Sequence, residues 1–364
     1  MRILVVNAGS SSLKLRVLDR DDAVVAASDL GPVDDLVAEV LGDELEALGP
    51  VDAVGHRVVH GGARFTAPAR LDDDVVAALR GLAELAPLHQ APALAAIDAV
   101  RQALPDLPAV ACFDTAFHAS LPVAALTYAV PRRWREELGV RRYGFHGLSH
   151  AYAARRASRL LGLLSNELRI VTCHLGSGAS LAAVAGGRSV DTTMGFTPLE
   201  GLVMATRSGT VDPGLVLWLQ QHAGLPAAEV LDGLEHGGGL FALAGTADMR
   251  AVLAAVVDGD VAARLGLDVY LHRLRAGIAA MASAMAGIDV LVFTGGVGER
   301  SAAVRAGAAD GLEFLGVSID AGRNETGSGD REIGTDDARV RTLVVAARED
   351  IEIAKCVRAV VERH

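Results

Sequence analysis

Two short segments half a chain apart share one plan. Asn7-Ala8-Gly9-Ser10 follows an apolar run, Ile3 to Val6, and leads into Leu13 to Leu18, where apolar residues mostly alternate. His174-Leu175-Gly176-Ser177 follows the apolar residues from Ile170 and leads into Leu181 to Ala185. Aligned without gaps, Asn7 falls on His174, Gly9 on Gly176, Ser10 on Ser177 and Leu13 on Ser180, an offset of 167 residues in a chain of 364. Each segment turns again, at Asp19 to Asp22 or Gly186-Gly187, into a third run, Ala23 to Ala27 or Arg188 to Thr192. Each therefore reads as strand, glycine/serine turn and strand, continued as an antiparallel meander. Two readings fit: unrelated hairpins, or a duplicated domain whose two similar loops hold the phosphates of one nucleotide. Length alone already favours two domains.

The remainder alternates helix and strand signals. Asp72 to Leu85 and Ala91 to Leu104 read as helices. Leu267, Leu271, Leu274, Ile278, Met281 and Met285 mark one face of a long helix, with its methionines in a core or a subunit seam. That helix runs into Val290 to Phe293 and then Thr294-Gly295-Gly296-Val297-Gly298-Glu299. Helix, strand and glycine turn in that order suit an α/β nucleotide site. No GxxxxGK[ST] occurs, which argues against a P-loop enzyme. Gly322 to Asp337 is polar and reads as a surface loop.

Composition removes several classes. A net charge of −11 argues against a broad nucleic-acid or anionic-lipid surface. The longest uncharged apolar stretch, Ala276 to Ile288, is too short to cross a membrane, and Ile3 to Val6 is no signal-peptide core. Cys112, Cys173 and Cys356 are isolated, without zinc spacing, and fit a reducing cytoplasm. Only Lys14 and Lys355 are lysines, and only Asn7, Asn166 and Asn324 are asparagines. A lysine and an asparagine together in Asn7-Ala-Gly-Ser-Ser-Ser-Leu-Lys14 therefore stand out. Backbone N–H groups, hydroxyls, an amide and a cation within eight residues suit a polyphosphate.

Further along, Gly55-His56-Arg57-Val58-Val59-His60-Gly61-Gly62 sets a cation among apolar residues. If Val54 to Val59 is a strand, Arg57 and Val59 share a face, one to hold an anion and one to line an apolar wall. A lone surface arginine is the alternative. Asp114 follows the apolar run Ala109 to Phe113, the place where α/β sites gather acids, and suits Mg²⁺ held through water or a helix N-cap. His146 and His150 have metal-pair spacing, but Gly144 and Gly147 argue against a helix there. A histidine bonding a phosphoryl group fits better. Arg207 is the only charge between Glu200 and Asp212, so it is either buried with a partner or aimed at an anion. Glu349, after the apolar Thr342 to Ala347, is a second candidate metal carboxylate.

Taken in order, NAGSSSLK, GHRVVHGG, FDTAFH, YGFHGLSH, CHLGSGASL, GFTPLEGL, FTGGVGE and REDIEIA resemble the acetate/propionate/butyrate kinase family, within the actin and sugar-kinase superfamily. The match runs nearly end to end. It implies an α/β protein of two duplicated ribonuclease-H-like domains around a nucleotide cleft, 1–117 plus 351–364 and 118–350. It also implies a cytoplasmic homodimer with Mg²⁺ (or Mn²⁺), ATP/ADP and acetate as ligands, and neither nucleic-acid nor membrane partners. The reaction implied is reversible phosphoryl transfer from ATP to acetate, giving acetyl phosphate and ADP.

By motif position, Arg57, Asp114, His146 and Arg207 would be catalytic. Arg57, Val59, Leu88, Phe145 and Pro198 would bind the acceptor. Asn7, Ser10, Ser12, Lys14, His174, Ser177, Gly178, Asp248, Met249, Arg250, Gly296, Val297, Gly298 and Arg300 would meet ATP. Asn7 and Glu349 would hold the metal, with Asp114 acting through water. The chain departs from the family pattern at Leu148, Ser177, Ala205, Thr210 and Arg300. Two other activities share most of these features: a propionate kinase, and an actin-like ATPase lacking a carboxylate acceptor.

Overall fold

The computed structural model describes residues 1–9, 12–31, 38–85 and 87–362, with side chains except at 38–40, 85 and 87–89. The chain forms two compact units: Met1–Ala119 with Phe145–Tyr152 and Arg348–His364, and Ser120–Gly144 with Ala153–Ala347. This partition differs from the expected one chiefly at residues 145–152, which go with the first unit. The reason is local: the Gly147 N–H donates to the Asp114 carbonyl at 2.9 Å.

The first unit holds β1 (Ile3–Ala8), β2 (Leu13–Leu18), β3 (Val24–Leu30), β4 (Ala53–Val58), β5 (Ala69–Arg70) and β6 (Ala109–Phe113), in the spatial order β3-β2-β1-β4-β6-β5. The second holds β7 (Arg169–Leu175), β8 (Ala179–Ala185), β9 (Arg188–Thr192), β10 (Val290–Thr294), β11 (Arg331–Glu332) and β12 (Arg341–Val344), in the order β9-β8-β7-β10-β12-β11. Each sheet is an antiparallel meander, then two strands parallel to the first, then a two-residue antiparallel strand at the far edge. The two units are thus duplicated α/β, ribonuclease-H-like folds. The register corrects one detail. Asn7 pairs with Lys14 and His174 with Ser180. β1 ends at Ala8 and β2 begins at Leu13, whereas β7 ends at Leu175 and β8 begins at Ala179, one residue sooner. The ungapped alignment therefore slips by one after the turn, and Lys14, not Leu13, matches Ser180.

Helices cover both faces of the first sheet, so Ile3 to Val6 of β1 reads as an unbroken apolar run. Leu4, Val6, Val54, Val58, Ala111 and Phe113 pack with Leu94, Ile97 and Val100 of the helix Pro87–Ala103. The intervening residues Ile3, Val5, Ala53, Val110 and Cys112 pack with Ile353, Ala354 and Val357 of the helix Glu349–Val361. Each large apolar side chain buried this way stabilises the fold by about 1.5–3 kcal/mol. That last helix lies close on the sheet, because a Cβ at Gly55 would sit 2.5 Å from Ile353 and 2.7 Å from Val357.

Two other expectations change. The polar stretch 322–337 carries most of a helix, Ala321–Glu325, and strand β11. Gly147 starts the helix Gly147–Leu161 rather than preventing one. The stretch 239–257 has the length and mean hydropathy (1.7) of a membrane span, although it contains the charged Asp248 and Arg250. The chain breaks it at Gly245, in the left-handed region at φ +70°, into the helices Gly239–Ala244 and Met249–Val257. Each is too short to span.

His56 carries a consequence for stability. It lies on β4 on the same face as Val54 and Val58, fully buried, and neither ring nitrogen has a hydrogen-bond partner. Burial, helped by Arg101, pushes its pKa down to about 3. The unfolded chain binds the proton below about pH 6.5 while the folded chain does not, so stability falls as pH drops from 6.5 towards 3. From pH 7 to 5 this one group is expected to cost about 2 kcal/mol. Thermal unfolding of His56→Leu should show a correspondingly flatter pH dependence than the parent. Identical slopes would remove His56 as the cause.

Candidate active site

Strand parity builds the first cluster. Asn7 shares a face with Ile3 and Val5, Arg57 with Ala53 and Gly55, and Asp114, just past β6, with Val110 and Cys112. That is the face covered by the helix whose first residue is Glu349. The four side chains converge. Arg57 Nη2 donates to Asp114 Oδ2 at 2.6 Å and Nε to both carboxylate oxygens at 3.1 and 3.2 Å. Arg57 Nη1 donates to Asn7 Oδ1 at 3.2 Å and lies 3.8 Å from Glu349 Oε2.

The Asp114 side chain is 1% exposed and that of Arg57 19%. Burial works against the Arg57 charge, but Asp114 and Glu349 outweigh it and its pKa is raised. Burial raises the Asp114 carboxyl, and Arg57 restrains that rise. Arg57 is therefore no lone surface arginine.

The other candidates of the first unit lie nearby in the chain or the sheet. Lys14 is exposed on β2 opposite Asn7. The Ser12 carbonyl accepts from Gly9 N at 2.9 Å. Val59 is half-buried just past β4. Phe145 is buried, its carbonyl 3.0 Å from His118 Nε2 and its ring edge-on to His60. His146, with a left-handed backbone (φ 55°), precedes Gly147, where a Cβ would lie 2.1 Å from the Asp114 carbonyl. Ser10 and the Leu88 side chain lie outside the described residues.

In the second unit, Arg207 differs sharply from Arg57. Its Nη1 contacts the Pro198 carbonyl at 3.2 Å and the Met204 sulfur at 3.7 Å, both neutral. Burial lowers its pKa, against a pull from Glu235. Glu200, the acid that precedes Arg207 in the sequence, is instead paired with Arg142 at 2.8 Å. Of the two options open in the sequence, the structure leaves Arg207 as a half-buried cation with no carboxylate partner among the described residues.

His174 lies at the end of β7 beside Thr294. Ser177 is exposed, and its carbonyl accepts from Ala205 N at 3.1 Å. Gly178 O accepts from Gly176 N within the same turn. Gly296, Val297 and Gly298 lie in the short helix Gly295–Arg300 directly after β10, with open space where a Gly296 Cβ would be. Arg300 is exposed. Asp248 caps the helix Met249–Val257 and takes the exposed Arg250 guanidinium at 2.7 Å. The Met249 side chain is in the core, leaving only its backbone to face a ligand.

Sequence reasoning missed Arg305. It is fully buried and donates to the Gly298 and Glu299 carbonyls (both 2.9 Å), to Asn324 Oδ1 (2.7 Å) and to Asn324 O (2.6 Å). It thereby ties down the glycine-rich segment, which the sequence suggested as a turn and the structure forms as the helix Gly295–Arg300. The signal was Asn324, one of only three asparagines.

Among the described residues no cluster of three or more His, Cys, Asp or Glu could cage a metal. Asn7, Asp114 and Glu349 are nevertheless hard oxygen donors gathered at one point. Such a sparse set fits a divalent cation that keeps water and phosphate oxygens in its shell.

Two duplicated ribonuclease-H-like α/β units, with a short glycine-rich helix directly after β10, form a fold suited to binding a nucleotide. The comparisons narrow this. The Acetokinase family matches residues 33–355. An acetate kinase from Deinococcus deserti is 45% identical over 99% of this chain and 98% of its own. The crystal structure of Porphyromonas gingivalis acetate kinase superposes with a TM-score of 0.91 at 34% identity, covering 99% of both chains. A propionate kinase structure from Francisella tularensis also reaches 0.91, at 33% identity, covering 98% of this chain and 99% of that one. The chain belongs to the acetokinase family.

Proposed function

We propose that the chain transfers the γ-phosphoryl group of ATP to acetate, reversibly and by direct in-line displacement, as an ATP:acetate phosphotransferase. Its family membership supports the reaction. The observation that carries the mechanism is Arg207, a half-buried cation held only by neutral atoms. A carboxylate acceptor has no proton to lose at neutral pH, so no general base is needed. The barrier lies in aligning two anions and spreading charge over the equatorial phosphoryl oxygens.

In this reading Arg57, His146 and Arg207 surround the transferred group, and Asn7, Ser12 and Lys14 meet the phosphates. His174, the turn at Ser177 and Gly178, the residues Asp248 to Arg250 and the helical residues Gly296 to Gly298 lie along the nucleotide, with Arg300 at its edge. Val59, Phe145 and Pro198 border the acceptor methyl. A bound Mg²⁺ or Mn²⁺ neutralises phosphate charge. Asn7 and Glu349 would hold it directly and Asp114 through water, since Arg57 already occupies both Asp114 oxygens.

The deciding assay is acyl phosphate formation from Mg·ATP, trapped as the hydroxamate, with acetate, propionate and butyrate in parallel. Highest kcat/KM with acetate supports the reading. A preference for propionate would make the chain a propionate kinase. Slow ATP hydrolysis with no acyl phosphate would make it an ATPase.

The partner in solution is proposed to be a second copy. On the second unit, Phe241, Val257, Val261 and Leu265 are all exposed, Val257 at 86% and Val261 at 82%. They lie on the neighbouring helices Gly239–Ala244, Met249–Val257 and Val261–Ala284. Exposed apolar side chains on neighbouring helices are what a contact between two copies would cover. Light scattering should give twice the 37.7 kDa chain mass, and Val261→Asp with Leu265→Asp should give the single mass. A parent already at the single mass would end this reading.

A further inference from the structure

The loop bearing Pro198 and the corner bearing Arg207 share one anchor, and it involves three side chains without a role so far. We propose that Tyr128, Arg142 and Glu200 form a clamp that fixes Pro198 and Arg207 together, making them positioning residues that set which carboxylic acid is phosphorylated. This rests on the reading that Pro198 borders the acceptor and Arg207 faces the transferred group.

The Glu200 carboxylate is held from two sides. Arg142 Nη2 donates to Oε1 at 2.8 Å, and the Tyr128 hydroxyl donates to Oε2. Arg142 also donates through Nη1 to the Thr193 carbonyl at 3.2 Å and the Met194 carbonyl at 2.9 Å, while its guanidinium lies over the Tyr128 ring. The Tyr128 oxygen accepts from Phe196 N at 3.0 Å. The Gly195 carbonyl accepts from Tyr143 N at 3.0 Å and Gly144 N at 3.3 Å. Every residue from Thr193 to Phe196 is thus tied by its backbone to this cluster or the segment beside it.

The fit leaves no slack. A Cβ on Gly195 would lie 1.7 Å from Glu200 Oε2 and 2.1 Å from the Tyr128 oxygen. Burial and the Glu200 neighbour push the Tyr128 hydroxyl up, so it remains a donor. Pro198 lies midway between two held residues, Phe196 and Glu200. Its carbonyl receives Arg207 Nη1 at 3.2 Å. A shift of the clamp would move the ring of Pro198 and the aim of Arg207 in one step. Discrimination between acids that differ by a methylene, together with transfer geometry, would change with it.

The test is kcat and KM for acetate and for propionate in the parent, Tyr128→Phe, Glu200→Gln and Pro198→Ala. The ratio of kcat/KM for the two acids does not depend on the fraction of folded enzyme, so a merely destabilised variant leaves it unchanged. Tyr128→Phe and Glu200→Gln are each expected to shift the ratio towards propionate by about threefold or more and to raise the acetate KM about tenfold. The KM for ATP should stay within about twofold. Tyr128→Phe removes a single oxygen and carries the test if Glu200→Gln fails to fold.

Parental ratios in both clamp variants overturn the proposal. If Pro198→Ala alone shifts the ratio, the wall is where the reading puts it and the clamp does not set it. If no variant shifts it, the acceptor reading of Pro198 fails and the clamp fails with it.

Discussion

Arg207→Ala is expected to lower kcat about 10³-fold while leaving the fold intact, because a transition-state guanidinium contributes on that scale in phosphoryl transfer. The structure explains why the fold survives. Among the described residues Arg207 pairs with no carboxylate and its side chain meets the Pro198 carbonyl and the Met204 sulfur, so its removal strands no partner charge there. Arg207→Lys should recover little, since an ammonium cannot reproduce two parallel donors in a plane. Steady-state kinetics alongside thermal unfolding separates the two effects. A variant with near-parental kcat would remove Arg207 from the reaction.

Arg57→Ala should fail on both counts. Its loss leaves Asp114 buried without its partner, and breaking such a pair costs about 3–5 kcal/mol. Asp114, already raised by burial, then loses the group that restrains it. Its protonation relieves the penalty, so the defect should shrink as pH falls. Asp114→Asn added to Arg57→Ala should restore much of the stability and none of the activity, which is expected to remain about 10³-fold down. A double variant as unstable as Arg57→Ala would mean that the penalty has another source.

Much of the first cluster was legible because it obeys period two. Once Ile3–Ala8, Ala53–Val58 and Ala109–Phe113 are parallel neighbours, Asn7, Arg57 and Asp114 must share a face. The apolar runs around them announced strands covered on both sides. The face of the long helix was also legible: Leu267, Leu271, Leu274, Ile278 and Met281 are all buried.

What escaped has no period. Tyr128 and Glu200 are 72 residues apart, Arg142 and Glu200 58, and Arg305 and Asn324 19. Such pairs are set by tertiary approach, and local pattern is silent about them. The helix start at Gly147 was misread for a related reason. Glycine there answers to the Asp114 carbonyl, a neighbour distant in sequence, and not to backbone flexibility.

The two-residue strands β5 and β11 have a consequence for how copies of this chain can meet. Each ends its sheet with a rung too short to template another strand, the usual protection against edge-to-edge aggregation. Duplication has kept that device in both halves. Strand addition is blunted at these two margins, while β3 and β9 form the opposite ones. For the second copy proposed above, the exposed Val257 and Val261 offer an apolar contact that needs no strand pairing.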